Sequence, residues 1–82
     1  MLTELSNAPR VVGAKQVRRA LEAGRGLRVF LADDTDPRVS QPVADICEEK
    51  AIAVERGFTM EELGRACGIS VGAAVAAMVT EE

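Results

Sequence analysis

The chain has 82 residues, with 48 % hydrophobic and 28 % charged side chains and no histidine. That profile excludes intrinsic disorder, and a chain of this length buries about 60 to 65 % of its unfolded surface, so one compact domain over residues 1–82 is expected. The net charge of −3 hides an asymmetry: residues 1–28 hold six bases against two acids, and the remainder four against eleven. A polyanion senses the local patch within a Debye length of about 8 Å, so the total charge does not exclude nucleic acid.

In chain order, Leu2 to Ala8 reads as a short helix ending before Pro9, and Arg10-Val11-Val12 as a brief strand stopped by Gly13. From Ala14 to Ala23 the apolar residues Ala14, Val17, Ala20 and Leu21 recur at helical spacing, with Lys15, Arg18, Arg19 and Glu22 opposite them. Gly24 and Gly26 end that helix. Leu27 to Ala32 is a strand apolar enough to be covered on both faces, and Asp33-Asp34-Thr35-Asp36-Pro37 is a turn. Ser40 is the expected N-cap of a helix running to Lys50, with Pro42 in its first turn.

Ala51 to Glu55 reads as a third strand, followed by an Arg56-Gly57-Phe58 turn. Thr59-Met60-Glu61-Glu62 has the T-x-x-E form of a capping box, opening a helix that stops at Gly68. The small apolar run Ala73 to Val79 is assigned to a strand, although alanine prefers helix. The order α-β-α-β-α-β-α-β predicts an α/β sandwich with helices on both faces of a sheet whose early strand pairs are parallel.

Little in this sequence supports catalysis. Cys47 and Cys67 have no histidine base, Ser6, Ser40 and Ser70 have no histidine partner, and the expectation is two reduced, packed thiols. Asp33, Asp34 and Asp36 fit a turn as well as a Mg²⁺ site, and no phosphate-loop spacing occurs among the glycines. No metal or cofactor is therefore expected. No apolar run approaches the ~20 residues of a membrane span, and MLTELSNAPR lacks signal-peptide character, so a cytoplasmic location is expected.

The strand-glycine-helix corner remains. A helix N-terminus attracts phosphate, Gly13 lets a backbone approach, and Lys15, Gln16 and Arg19 carry groups able to bond guanine edges. Residue chemistry leaves this open against an ordinary solvated basic face. With Phe30 and Phe58 as its only aromatics, the chain lacks a stacking platform for single strands.

The segments GAKQVRRAL (Gly13–Leu21), LADDTDP (Leu31–Pro37) and ELGRACGISVGAAVAAMV (Glu62–Val79) resemble the kink-turn RNA-binding ribosomal protein family of the L-seven-Ae type, nearest its short bacterial members. The resemblance implies an α/β/α three-layer sandwich around a mixed four-stranded sheet. It also implies that Gly13 approaches the RNA backbone, Lys15 and Gln16 contact sheared-pair guanines, and Arg19 makes a basic contact. Ile69, Ser70 and Val71 would cover an extruded nucleotide, with Arg28 and Arg65 as candidate phosphate contacts and Asp33 or Asp34 bracing the loop. The implied partner is a structured RNA with a kink-turn, ribosomal or riboswitch, bound by a monomer with no membrane or enzymatic role. The alternative is a protein-interaction subunit using acidic residues 33–62.

Overall fold

The computed structural model describes residues 2–80; Met1, Glu81 and Glu82 lie outside them. In chain order the elements are α1 (Leu2–Leu5), β1 (Arg10–Val12), α2 (Ala14–Glu22), β2 (Gly26–Leu31), α3 (Pro37–Lys50), β3 (Val54–Glu55), α4 (Met60–Ala66) and β4 (Val75–Val79). The strands form one mixed sheet in the order β1-β4-β2-β3. β4 runs antiparallel to both neighbours, while β2 and β3 pair in parallel. The expectation that early strand pairs are parallel needs correction. β1 and β2 point the same way, but β4 lies between them.

Side-chain alternation along the two central strands explains the layers. Val29, Leu31, Val75, Ala77 and Val79 face one way and pack with Val17, Ala20 and Leu21 of α2 and Val43 and Cys47 of α3. Phe30 and Ala76 face the other way and pack with Leu5 of α1 and with Phe58, Leu63 and Cys67. The result is the expected α/β/α sandwich, with both phenylalanines and both thiols buried. β4 is covered on both faces, so its alanines let the two helix layers approach closely. This packing overrides their helical propensity.

Several boundaries differ from those read in the sequence. Helix α3 begins at Pro37 rather than after Ser40, because Asp36 is the N-cap and its side chain accepts the Arg38 amide at 2.9 Å. Aspartate is a strong N-cap and proline suits the next position, and this signal outweighs Ser40. Pro42 consequently sits inside the helix. Strand β3 shrinks to Val54–Glu55 because Ala51 caps α3 in the left-handed conformation, φ 57° and ψ 42°, and the Ile52 amide bonds back to the Cys47 carbonyl at 2.8 Å. Helix α1 ends at Leu5, ahead of the expected Ala8.

Candidate nucleic-acid interface

Strand directions gather the relevant segments at one end of the sheet. β1 ends at Val12 opposite Ala76, and β2 ends at Leu31 opposite Val75, where β4 begins. β3 ends beside β2, with Glu55 opposite Phe30. Residues 13–16, 32–38, 56–60 and 68–74 therefore emerge together. Backbone bonds tie them: Gly13 N–H to Val75 O at 2.9 Å, Ala32 N–H to Ala74 O at 3.0 Å, and Ala73 N–H to Met60 O at 2.9 Å. The end of the sheet beyond the carboxyl termini of parallel strands is the general ligand side of open α/β sheets.

Three helices start at this end, and only two are closed by side chains. Asp36 caps α3, and α4 has its full capping box: Thr59 Oγ1 accepts the Glu62 amide at 3.1 Å and Glu62 Oε1 accepts the Thr59 amide at 2.8 Å. Asp34 Oδ1 adds a third bond to α4 by accepting the Met60 amide at 2.8 Å. α2 is different. Its N-cap is Gly13, at φ 96° and ψ 147°, with no side-chain cap bond. That φ favours glycine, and the space where a Cβ would stand is open. The positive end of α2 is thus left without an internal anion.

Buried Val17, Ala20 and Leu21 anchor α2, which forces Lys15, Gln16, Arg18 and Arg19 outward. Lys15, Gln16 and Arg19 make no side-chain hydrogen bond or ion pair among the described residues. Lys15 and Arg19 line a shallow depression with Ala14, Arg18 and Glu22.

The second half of the site is the segment after α4. Gly68, at φ 77°, reverses the chain, and the Ile69 amide bonds to Gly64 O at 3.1 Å. The backbone of Val71 and Gly72 lies directly on Gly64, where a methyl group would collide with the Val71 carbonyl oxygen. This backbone is pinned while its side chains face outward: Val71 is 68 % exposed and Ile69 37 %. Ile69 to Gly72, with Asp34, Met60, Glu61 and Arg65, line an open depression of about 710 Å³. Arg10 supports the segment from below, its Nη2 and Nε donating to Cys67 O at 2.9 and 3.2 Å, a cation on the terminal carbonyls of α4. Sequence reading missed this role, since an arginine opening a strand carries no local sign of a partner 57 residues away.

The family model described as the ribosomal protein L7Ae/L30e/S12e/Gadd45 family matches residues 4–82. The chain belongs to this family. It is 47 % identical over 73 residues to an RNA-binding protein of Caldanaerobacter subterraneus subsp. tengcongensis, covering 89 % of each chain. It is 37 % identical over 68 residues to the large ribosomal subunit protein eL8 of Halobacterium salinarum, covering 82 % of this chain and 57 % of that one. Its fold matches the Giardia lamblia 15.5kD RNA binding protein with a TM-score of 0.90 at 24 % identity, covering 99 % of this chain and 72 % of that one.

In this L7Ae-family chain the structure brings Gly13, Lys15, Gln16, Ile69, Ser70 and Val71 to one end, with Arg19 one turn further along α2. Arg65 lies on the rim of the larger depression, 3.0 Å from Glu61. Arg28 does not join them. It sits three residues back from the end of β2, its Nη1 bonded to Glu55 at 2.9 Å and Glu4 at 3.2 Å, and links β2 to β3 and to α1.

The acid-rich turn is largely consumed inside the protein. Asp33 Oδ1 accepts the Gly57 amide at 3.0 Å, Asp34 serves α4, and Asp36 holds the Arg38 guanidinium at 2.8 Å. Both Asp33 and Asp34 therefore brace the neighbouring loop. The hydrogen bonds from the Arg38 side chain and then from its amide hold the Asp36 carboxyl below its ordinary pKa. Burial pushes both thiols up, with Arg10 opposing the effect at Cys67, so neither is poised as a nucleophile. Among the described residues no three His, Cys, Asp or Glu side chains gather as a metal site, and no helix is long and apolar enough to cross a membrane.

Proposed function

We propose that this chain is an RNA-binding protein that recognises a kink-turn, acting as a monomer. The observation that carries this reading is the pairing, at one end of the sheet, of an uncapped basic helix start with a pinned loop displaying Ile69 and Val71. The first element suits phosphate and guanine edges in a groove. The second offers an unstacked base an apolar face. Membership of the family and the names of the relatives support the RNA-binding part of this reading.

Gly13 approaches the RNA backbone, Lys15 and Gln16 read the guanines of sheared G·A pairs, and Arg19 adds a contact along the helix. Ile69, Ser70 and Val71 cover the extruded nucleotide, with Arg65 at the rim. Binding requires the sharply bent RNA, so the protein shifts a flexible element toward that form by its differential affinity for it. Ribosomal RNA or a riboswitch would present the same motif.

Titrating labelled protein with a kink-turn RNA and following backbone amide resonances tests the surface. Perturbations should concentrate at residues 13–19 and 69–72. Unperturbed amide resonances up to saturating RNA would overturn this reading and favour the protein-interaction role of residues 33–62 instead.

A further inference from the structure

We infer that Arg38, on the first turn of α3, is a further phosphate-contacting residue of this interface, held in position by Asp36. The inference rests on the RNA-binding reading above and deepens it.

Topology places Arg38 correctly. Ala32 and Thr35 both bond to Ala74 O, at 3.0 and 3.4 Å, which locks the 32–36 turn against the segment leading from the apolar loop. The neighbouring carbonyl, Val75 O, takes the Gly13 amide. The turn that launches α3 is therefore held to both halves of the proposed site through two consecutive residues, Ala74 just before β4 and Val75 at its start.

The side chain is also arranged to present charge. Arg38 is 90 % exposed, yet its guanidinium is fixed: Nε lies 3.3 and 3.2 Å from the two Asp36 oxygens and Nη2 lies 2.8 Å from Oδ2. The same carboxylate caps the helix through the Arg38 amide, so the backbone and the guanidinium are anchored together. Nη1 makes no bond among the described residues, which leaves its two N–H groups directed at solvent. A guanidinium held this way by a carboxylate has lost much of its freedom before a phosphate arrives.

Apolar exposure supports the same surface. Four large hydrophobic side chains are exposed among the described residues, and three of them, Val39, Ile69 and Val71, lie at this end of the sheet. Val39 adjoins Arg38 on the first turn of α3. The turn thus combines a charged tip with apolar surface, as the loop does with Arg65.

The test compares Arg38→Ala with Lys50→Ala in titrations of a kink-turn RNA at several salt concentrations. Both substitutions remove one positive charge, but Lys50 lies at the opposite end of α3. Loss of a phosphate contact should reduce the slope of log affinity against log salt by about 0.7 to 0.9 for Arg38→Ala and leave it unchanged for Lys50→Ala. An unchanged slope in Arg38→Ala, or an equal reduction in both variants, overturns the inference while leaving the RNA-binding reading intact. Absence of binding by the wild-type protein overturns both.

Discussion

Lys15 and Gln16 occupy the second and third positions of α2, where side chains and free amides face the same visitor. If they read bases, Lys15→Ala and Gln16→Ala should each reduce discrimination between a kink-turn and a control RNA by ~1 to 3 kcal/mol. Arg18→Ala should do little. A reversed order in filter-binding measurements would mean that a different face of α2 meets the RNA. Val71 is 68 % exposed, so Val71→Asp should weaken RNA binding while leaving the far-ultraviolet circular dichroism unchanged. Loss of the helical signal would instead place Val71 in the packing. Lys15 and Gln16 stand out in the sequence because their chemistry and the family resemblance agree, whereas Ile69, Ser70 and Val71 are named by the resemblance alone. Arg10 and Arg38 do not stand out, because their significance comes from Cys67 and Asp36 as fixed partners in space.

Among the elements, α4 and its following loop act as one unit. The capping box fixes the start of α4, Arg10 binds its end, and Gly64 lets the loop backbone lie flat upon it. Gly64→Ala should lift that loop, cost about 1 to 3 kcal/mol of stability by overpacking, and weaken RNA binding beyond the thermal effect. Thermal melts beside titrations at a temperature where the variant is folded would show both. The opposite is expected at Ala51, whose left-handed backbone carries a steric cost that glycine avoids. Ala51→Gly should raise stability by about 0.5 to 1 kcal/mol, a melting-temperature gain of a few degrees for a domain this size.

Element by element, legibility followed how local the cause was. The Thr59 to Glu62 capping box is complete within four residues, and it was readable. The start of α3 is ambiguous in the sequence because two local signals compete, Asp36-Pro37 and Ser40-Gln41-Pro42, and the bond from the Arg38 amide to Asp36 decides between them. The sequence pattern extends β3 beyond its true start because nothing in Ala51-Ile52-Ala53 announces a left-handed alanine. The strand order, with β4 inserted between β1 and β2, depends on contacts between the chain's two ends and has no signature in either strand.

For the whole molecule, charge is organised by position. Acids near the proposed interface cap helices, brace the turn at Gly57, or hold Arg38 and Arg65, while the open helix end keeps its cations unpaired among the described residues. An RNA contact made by a few such groups should have a shallow salt dependence, about −0.7 to −0.9 per phosphate neutralised. With no histidine in the chain, binding should be flat between about pH 5.5 and 8.

Stability should behave differently at high pH. Burial raises the Cys47 and Cys67 thiol pKa values in the folded state, so the folded chain holds those protons more tightly than the unfolded one. Their contribution is complete below the unfolded value of about 8.5 and is lost as pH rises through the folded values. Melting temperatures should therefore decline in that alkaline window, and decline less in a Cys47→Ala, Cys67→Ala double variant.

The central claim is that the uncapped start of α2 and the Ile69 to Val71 loop together recognise a kink-turn rather than RNA in general. It is tested most directly by measuring equilibrium affinity for a kink-turn RNA and for the same RNA with its sheared G·A pairs converted to Watson-Crick pairs. Strong binding to the first and large loss with the second is predicted; equal binding to both, or none to either, would contradict it.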